Sequence, residues 1–84
     1  MKESIHIGSI IRDKLKEDGR AASWLAKKLN CNRTNIYKIF DKSDINTDQL
    51  LMISKILDHD FFSYYSKRLN NEPNGEDNNI KHFH

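Results

Sequence analysis

The chain has 84 residues, enough for one small domain with a single modest core and for no second one. No apolar run approaches the roughly 18 residues of a membrane span, and no signal-peptide pattern opens the chain. One cysteine makes no internal disulfide, so a reducing cytoplasm is the expected compartment, with Cys31 serving as a buried small apolar residue. Net charge is only +2 but uneven: residues 1–42 hold ten Lys/Arg against five Asp/Glu, residues 43–84 four against seven. A polyanion should therefore be drawn to one end of the molecule.

Glycine and proline are scarce and the apolar spacing is helical nearly throughout, which predicts an all-α domain. The first helix is expected from about Ile7 to Asp18, with Ile7, Ile10, Ile11 and Leu15 inward and Gly19 as a C-cap able to take positive φ. A second covers about Ala22 to Leu29. Leu25 and Leu29 share its inner face, and Ala26 is small enough for a neighbour to pack close. Asn30 sits at the turn, where asparagine tolerates a left-handed backbone. Asn32 is a good N-cap for a third helix reaching about Asp41, which buries Ile36, Ile39 and Phe40. Two helices meeting at so sharp a turn form a helix-turn-helix, and that points to DNA.

Residues 41–46 read as a loop from which Ile45 dips into the core. A fourth helix starts at Asn46 or Thr47, where Asn46 and Gln49 are similar to a capping box. Leu50, Ile53, Ile56 and Leu57 supply its buried stripe, and Leu51 adds to the apolar supply. Residues 58–60 break the pattern. Asp60 can cap a fifth helix through about Leu69, rich in aromatics: Phe61, Phe62, Tyr64 and Tyr65. From Asn70 the composition is too polar to order itself, so a domain over 1–69 and a disordered polar tail over 70–84 are expected.

Over about residues 5–69 the chain resembles the lambda-repressor-like, or Xre-type, helix-turn-helix domains of phage Cro and repressor proteins. The likeness rests on Leu25-Ala26, Leu29, Cys31, Ile36 and Ile39, on Ile7-Gly8-Ser9-Ile10-Ile11 before them, and on Leu50-Leu51-Met52-Ile53 after them. It implies a bundle of five helices and a transcriptional regulator, most often a repressor dimer on a palindromic operator. Family members commonly carry Thr-Gln or Ser-Gln entering helix two, a turn glycine, and an acidic residue with glycine closing helix three. Here those places hold Ala22 and Ser23, Asn30, and Phe40-Asp41-Lys42. A Phe40–Leu15 contact is expected to stand in for the polar pairing of helix three with helix one.

On a helical wheel, Thr34 and Lys38 lie opposite the buried face of helix three. Arg33 and Tyr37 lie on one flank, Asn35 and Lys42 on the other. Arg33, Thr34 and Lys38 are the expected base-reading residues, with Asn35 and Tyr37 behind them. Arg and Lys can donate to guanine O6 and N7, and the Thr34 methyl can pack on thymine. Phosphate contacts are expected from Arg20, Ser23, Asn32, Lys27, Lys28 and Lys42. Trp24 is expected to pack beside helix four or the end of helix one.

The excess of aromatics on helix five predicts a two-fold homodimer through helices four and five, with Phe61, Phe62, Tyr64 and Tyr65 at the contact. His6, His59, His82 and His84 lack metal-ligand spacing, so neither metal nor cofactor is expected. No arrangement of Ser, His, Asp or Cys supports catalysis. The alternative to a double-stranded DNA-binding regulator is an antitoxin-like or other interaction module whose helix five binds a partner protein. An accessory domain that has kept the fold without DNA binding is a third possibility.

Overall fold

Residues 4–71 are described by the structure, a computed structural model. They form five α-helices and no strand: α1 (Ile7–Glu17), α2 (Ala22–Lys28), α3 (Arg33–Phe40), α4 (Thr47–Leu57) and α5 (Ser63–Asn71). The helix ends are set largely by local chemistry. Asn32 accepts the Asn35 N–H at 3.0 Å and Asn46 accepts the Gln49 N–H at 2.7 Å, each satisfying a first-turn donor of α3 or α4. Asn30 adopts φ 59°, Gly19 φ 72° and Asp58 φ 52°, so each left-handed turn falls just beyond a helix. At α1 the cap is His6, whose Nδ1 accepts the Ser9 N–H at 3.1 Å and lies 2.9 Å from Ser9 Oγ.

The core draws on every helix up to α4. Ile7, Ile11 and Leu15 of α1 meet Leu25 and Ala26 of α2, Ile36, Ile39 and Phe40 of α3, and Leu50, Ile53 and Leu57 of α4. Phe61, in the turn before α5, closes it. Ile5, Ile10, Leu29, Ile45 and Ile56 are half-buried around this cluster. Cys31 is also only half-buried, since the turn that carries it lies at the surface. Leu51 does not join the core and remains 45% exposed. It follows Leu50 by about 100° on the helix, so burying one turns the other outward.

The last helix differs from its expected register. Asp60 Oδ1 accepts the Phe62 N–H at 3.0 Å and its carbonyl accepts the Ser63 hydroxyl at 2.7 Å, so residues 61–62 form a turn and α5 begins at Ser63. It continues to Asn71, two residues into the stretch expected to be disordered. The rest of that tail, with His82 and His84, lies outside the described residues.

Helix α3 packs against both α2 and α1. Its junction with α1 is backbone on backbone: Ile7 N–H donates to Ser43 O and Gly8 N–H to Lys42 O, both at 3.0 Å. The first turn of α1 thus supplies donors to the chain leaving α3. Only glycine fits at position 8. A Cβ there would crowd the Ile39 carbonyl and fall 2.5 Å from Phe40 O and 2.6 Å from Lys42 O.

Candidate nucleic-acid interface

The turn between α2 and α3 spans Leu29 to Asn32. Asn30 N–H donates to Lys27 O at 3.1 Å and Cys31 N–H to Ala26 O at 2.9 Å, which fixes where α3 departs. Helix α3 buries Ile36, Ile39 and Phe40, and its remaining residues, Arg33, Thr34, Asn35, Tyr37 and Lys38, are all exposed. All five expected base-reading residues therefore share the solvent side of one short helix. Among the described residues, none of Arg33, Lys38 and Lys42 enters an ion pair, whereas Arg12 pairs with Asp13 and Lys14 with Glu17 and Asp18.

The two flanks of α3 face different neighbours. On one side Arg33 lines a hollow with Ser23, Trp24 and Lys27 of α2. On the other, Asn35, Lys38 and Lys42 line a groove against Asp48, Gln49 and Met52 of α4. Tyr37 leans toward α1, its ring edge-on to Phe40 at 5.9 Å, in a groove shared with Leu15, Arg12, Lys16 and Arg20. Leu15 and Phe40, both buried, line that same groove. Thr34 stands exposed between the flanks. Arg33 is thus grouped with Ser23 and Lys27, two residues expected at phosphates, rather than with Lys38.

Asn32 spends its side-chain oxygen on the α3 cap, leaving the amide N–H groups as its donors to an external acceptor. Ala21 caps α2 with no side-chain hydrogen bond, which follows from the absence of a polar cap residue there. Arg20 and Lys28 both lie over the Trp24 ring, at 4.5 and 5.6 Å from its centroid. The sequence favours a packing role for Trp24, beside helix four or the end of helix one. Lys28 at i+4 was a readable signal, but Arg20 precedes α2 and comes to the ring through its backbone bond to Leu15 O at 2.9 Å. Asp48, Gln49 and Met52 were not anticipated beside α3 either. Their approach depends on the packing of α4 and has no local signature.

The four aromatics expected at a dimer contact divide. Phe61 is 0% exposed and its N–H reaches Ser54 Oγ at 3.4 Å, so its side chain belongs to the monomer core. The turn at 61–62 aims it inward. Tyr64 is half-buried, stacked on Phe61 at 6.3 Å, with its hydroxyl 3.0 Å from His59 Nε2. Phe62 is half-buried, and Tyr65, 36% exposed, edges a cleft with Ile5, Asp44 and Arg68. Burial pushes the Tyr65 hydroxyl above its ordinary value, and the Asp44 carboxylate adds to the shift. The exposed apolar side chains of these two helices are Leu51 and Met52 on α4, the latter facing the groove beside α3, and Leu69 on α5.

No helix among the described residues is long and apolar enough to cross a membrane. Nor do three or more His, Cys, Asp or Glu side chains converge there as a metal site would need. No protein-family model, curated protein or solved structure matches the chain.

Proposed function

We propose that the chain is a double-stranded DNA-binding transcriptional regulator of the lambda-repressor-like helix-turn-helix kind, acting as a repressor. The observation that carries this reading is the surface of α3. Five polar or aromatic side chains stand out from a helix whose other face is locked into the core, and Arg20, Ser23, Lys27 and Lys42 line the hollows beside it. A helix of this length fits the major groove, where Arg33, Thr34 and Lys38 can meet base edges and the surrounding residues can meet phosphates. The positive bias of residues 1–42 supports the same orientation. A second copy completes the reading, joined through α4 and α5 with Leu51, Leu69 and Tyr65 as the exposed apolar contribution. Two recognition helices would then sit about 34 Å apart on a palindromic operator.

The test is enrichment of bound duplexes from a random pool at about 0.15 M salt, held fixed because phosphate binding alone shifts affinity by orders of magnitude. A palindrome with half-sites about one helical turn apart is expected. Arg33→Ala should relax preference at one base position by about 1–3 kcal/mol, whereas Arg20→Ala should weaken binding to every sequence. Recovery of no sequence preference would overturn the proposal. A protein partner held on the α4–α5 surface would then be the reading to pursue.

A further inference from the structure

Trp24 carries two cations at once. The Arg20 guanidinium lies 4.5 Å from the ring centroid and Lys28 Nζ 5.6 Å, and neither forms an ion pair with an acid among the described residues. Trp24 itself is half-buried against the core, so the ring is a fixed platform rather than a loose surface group. Arg20 is tethered from the other direction by its N–H bond to Leu15 O at 2.9 Å. Beside them the ring helps to line the hollow that holds Ser23, Lys27 and Arg33.

An indole face attracts a cation without neutralising it, because the attraction comes from a quadrupole and not from a charge. Both side chains therefore keep their full positive charge while losing much of the rotamer freedom that a solvated Arg or Lys must surrender on docking. Two like charges at one ring also raise the local potential, which phosphates near either of them relieve.

We infer that Trp24 is a positioning residue that holds Arg20 and Lys28 as a two-cation clamp for backbone phosphates of nucleic acid. The inference rests on the DNA-binding reading and specifies how affinity is generated at its edge. Base preference belongs to α3, so the clamp should act on all sequences alike.

The experiment titrates a short labelled duplex with the full chain by fluorescence anisotropy across a range of salt concentrations. It compares the wild type, Trp24→Leu, Trp24→Phe, the Arg20→Gln/Lys28→Gln double variant, and the double variant with Trp24→Leu added. Losing two phosphate contacts should flatten the slope of log K against log salt by about 1.8 in the double variant. Trp24→Leu should weaken binding about 5-fold, with Trp24→Phe recovering part of that loss because it keeps an aromatic face. In the double variant Trp24→Leu should cost nothing more, since there are no cations left to position. A Trp24→Leu loss of the same size with and without Arg20 and Lys28 would make the role merely structural and overturn the inference. No loss in either background would overturn it too. Should Trp24→Leu fail to fold, Trp24→Met, which fills space without an aromatic face, takes its place alone and in the double variant, with the same outcomes deciding.

Failure of the wild type to bind any duplex would remove the DNA reading, and tripolyphosphate then tests the clamp alone. Trp24 is the single tryptophan, so its emission reports directly. A saturable change abolished in the double variant sustains the clamp, and its absence removes it.

Discussion

Gly8→Ala is the sharpest perturbation of the scaffold that holds α3. The added methyl would meet three carbonyl oxygens at once, crowding that of Ile39 and standing 2.5 and 2.6 Å from those of Phe40 and Lys42. All three belong to backbone, which cannot rotate out of the way, so α1 must retreat. A retreat of about 0.5–1 Å forfeits a quarter to a half of the dispersion attraction across the contact. It also stretches the Ile7–Ser43 and Gly8–Lys42 hydrogen bonds, now 3.0 Å each and worth about 1 kcal/mol apiece. Overpacking adds about 1–3 kcal/mol, and the better helix propensity of alanine returns about 0.5–1. The net cost is about 3 kcal/mol, a large share of the 5–15 kcal/mol that small domains possess. Thermal unfolding followed by circular dichroism should show a Tm lower by about 12–24 °C. Gly19→Ala is the control. Position 19 has φ 72° and nothing within 4 Å of a built Cβ, so only left-handed backbone strain of about 1–2 kcal/mol applies. If Gly8→Ala melts near the wild type, or above Gly19→Ala, the close approach of α1 to α3 is wrong.

Phe61→Ala should destabilise the monomer by about 3–5 kcal/mol in urea titration, because its side chain is wholly buried. A change confined to self-association, with unfolding untouched, would return Phe61 to the surface. Tyr65 should ionise above the ordinary tyrosine value, since its hydroxyl is raised by burial and by Asp44. The unfolded chain gives up that proton first, so the contribution to stability is complete below pH 10 and is lost as pH rises through the folded-state value. The phenolate absorbance lost from an alkaline titration in Tyr65→Phe checks the direction, and that variant should lessen the alkaline loss of stability.

The helical pattern was legible because it is local. Leu25, Ile36 and Ile39 recur at helical spacing and are buried, and Asn32 and Asn46 cap the helices they precede. Asn30 adopts the left-handed turn its chemistry favours. The misses arise where one element's fate depends on another. The pair Leu50-Leu51 is apolar at both places, and only the direction of the core decides which is buried. Phe61 was assigned to a helix face, but the hydrogen bonds of Asp60 turn those residues back beneath α4. His6 is an uncommon cap, and its ring serves because Ser9 offers both its N–H and its hydroxyl. Of the candidate interface, the outward set on α3 was readable from the wheel. The division of that set between α2 and α4 sides, and the joining of Arg20 to Trp24, required the tertiary packing.

The amides of Ile7 and Gly8 lie close to the beginning of the described chain, where backbone ordinarily frays, yet their acceptors at Lys42 and Ser43 are some 35 residues away in sequence. Closing that span is a long-range event, so the chain leaving α3 is tied down only while α1 is docked. Opening of α1 should therefore loosen the segment after α3 as well. Whatever grips α3 from outside should also slow hydrogen exchange at positions 7 and 8, on a helix it never touches.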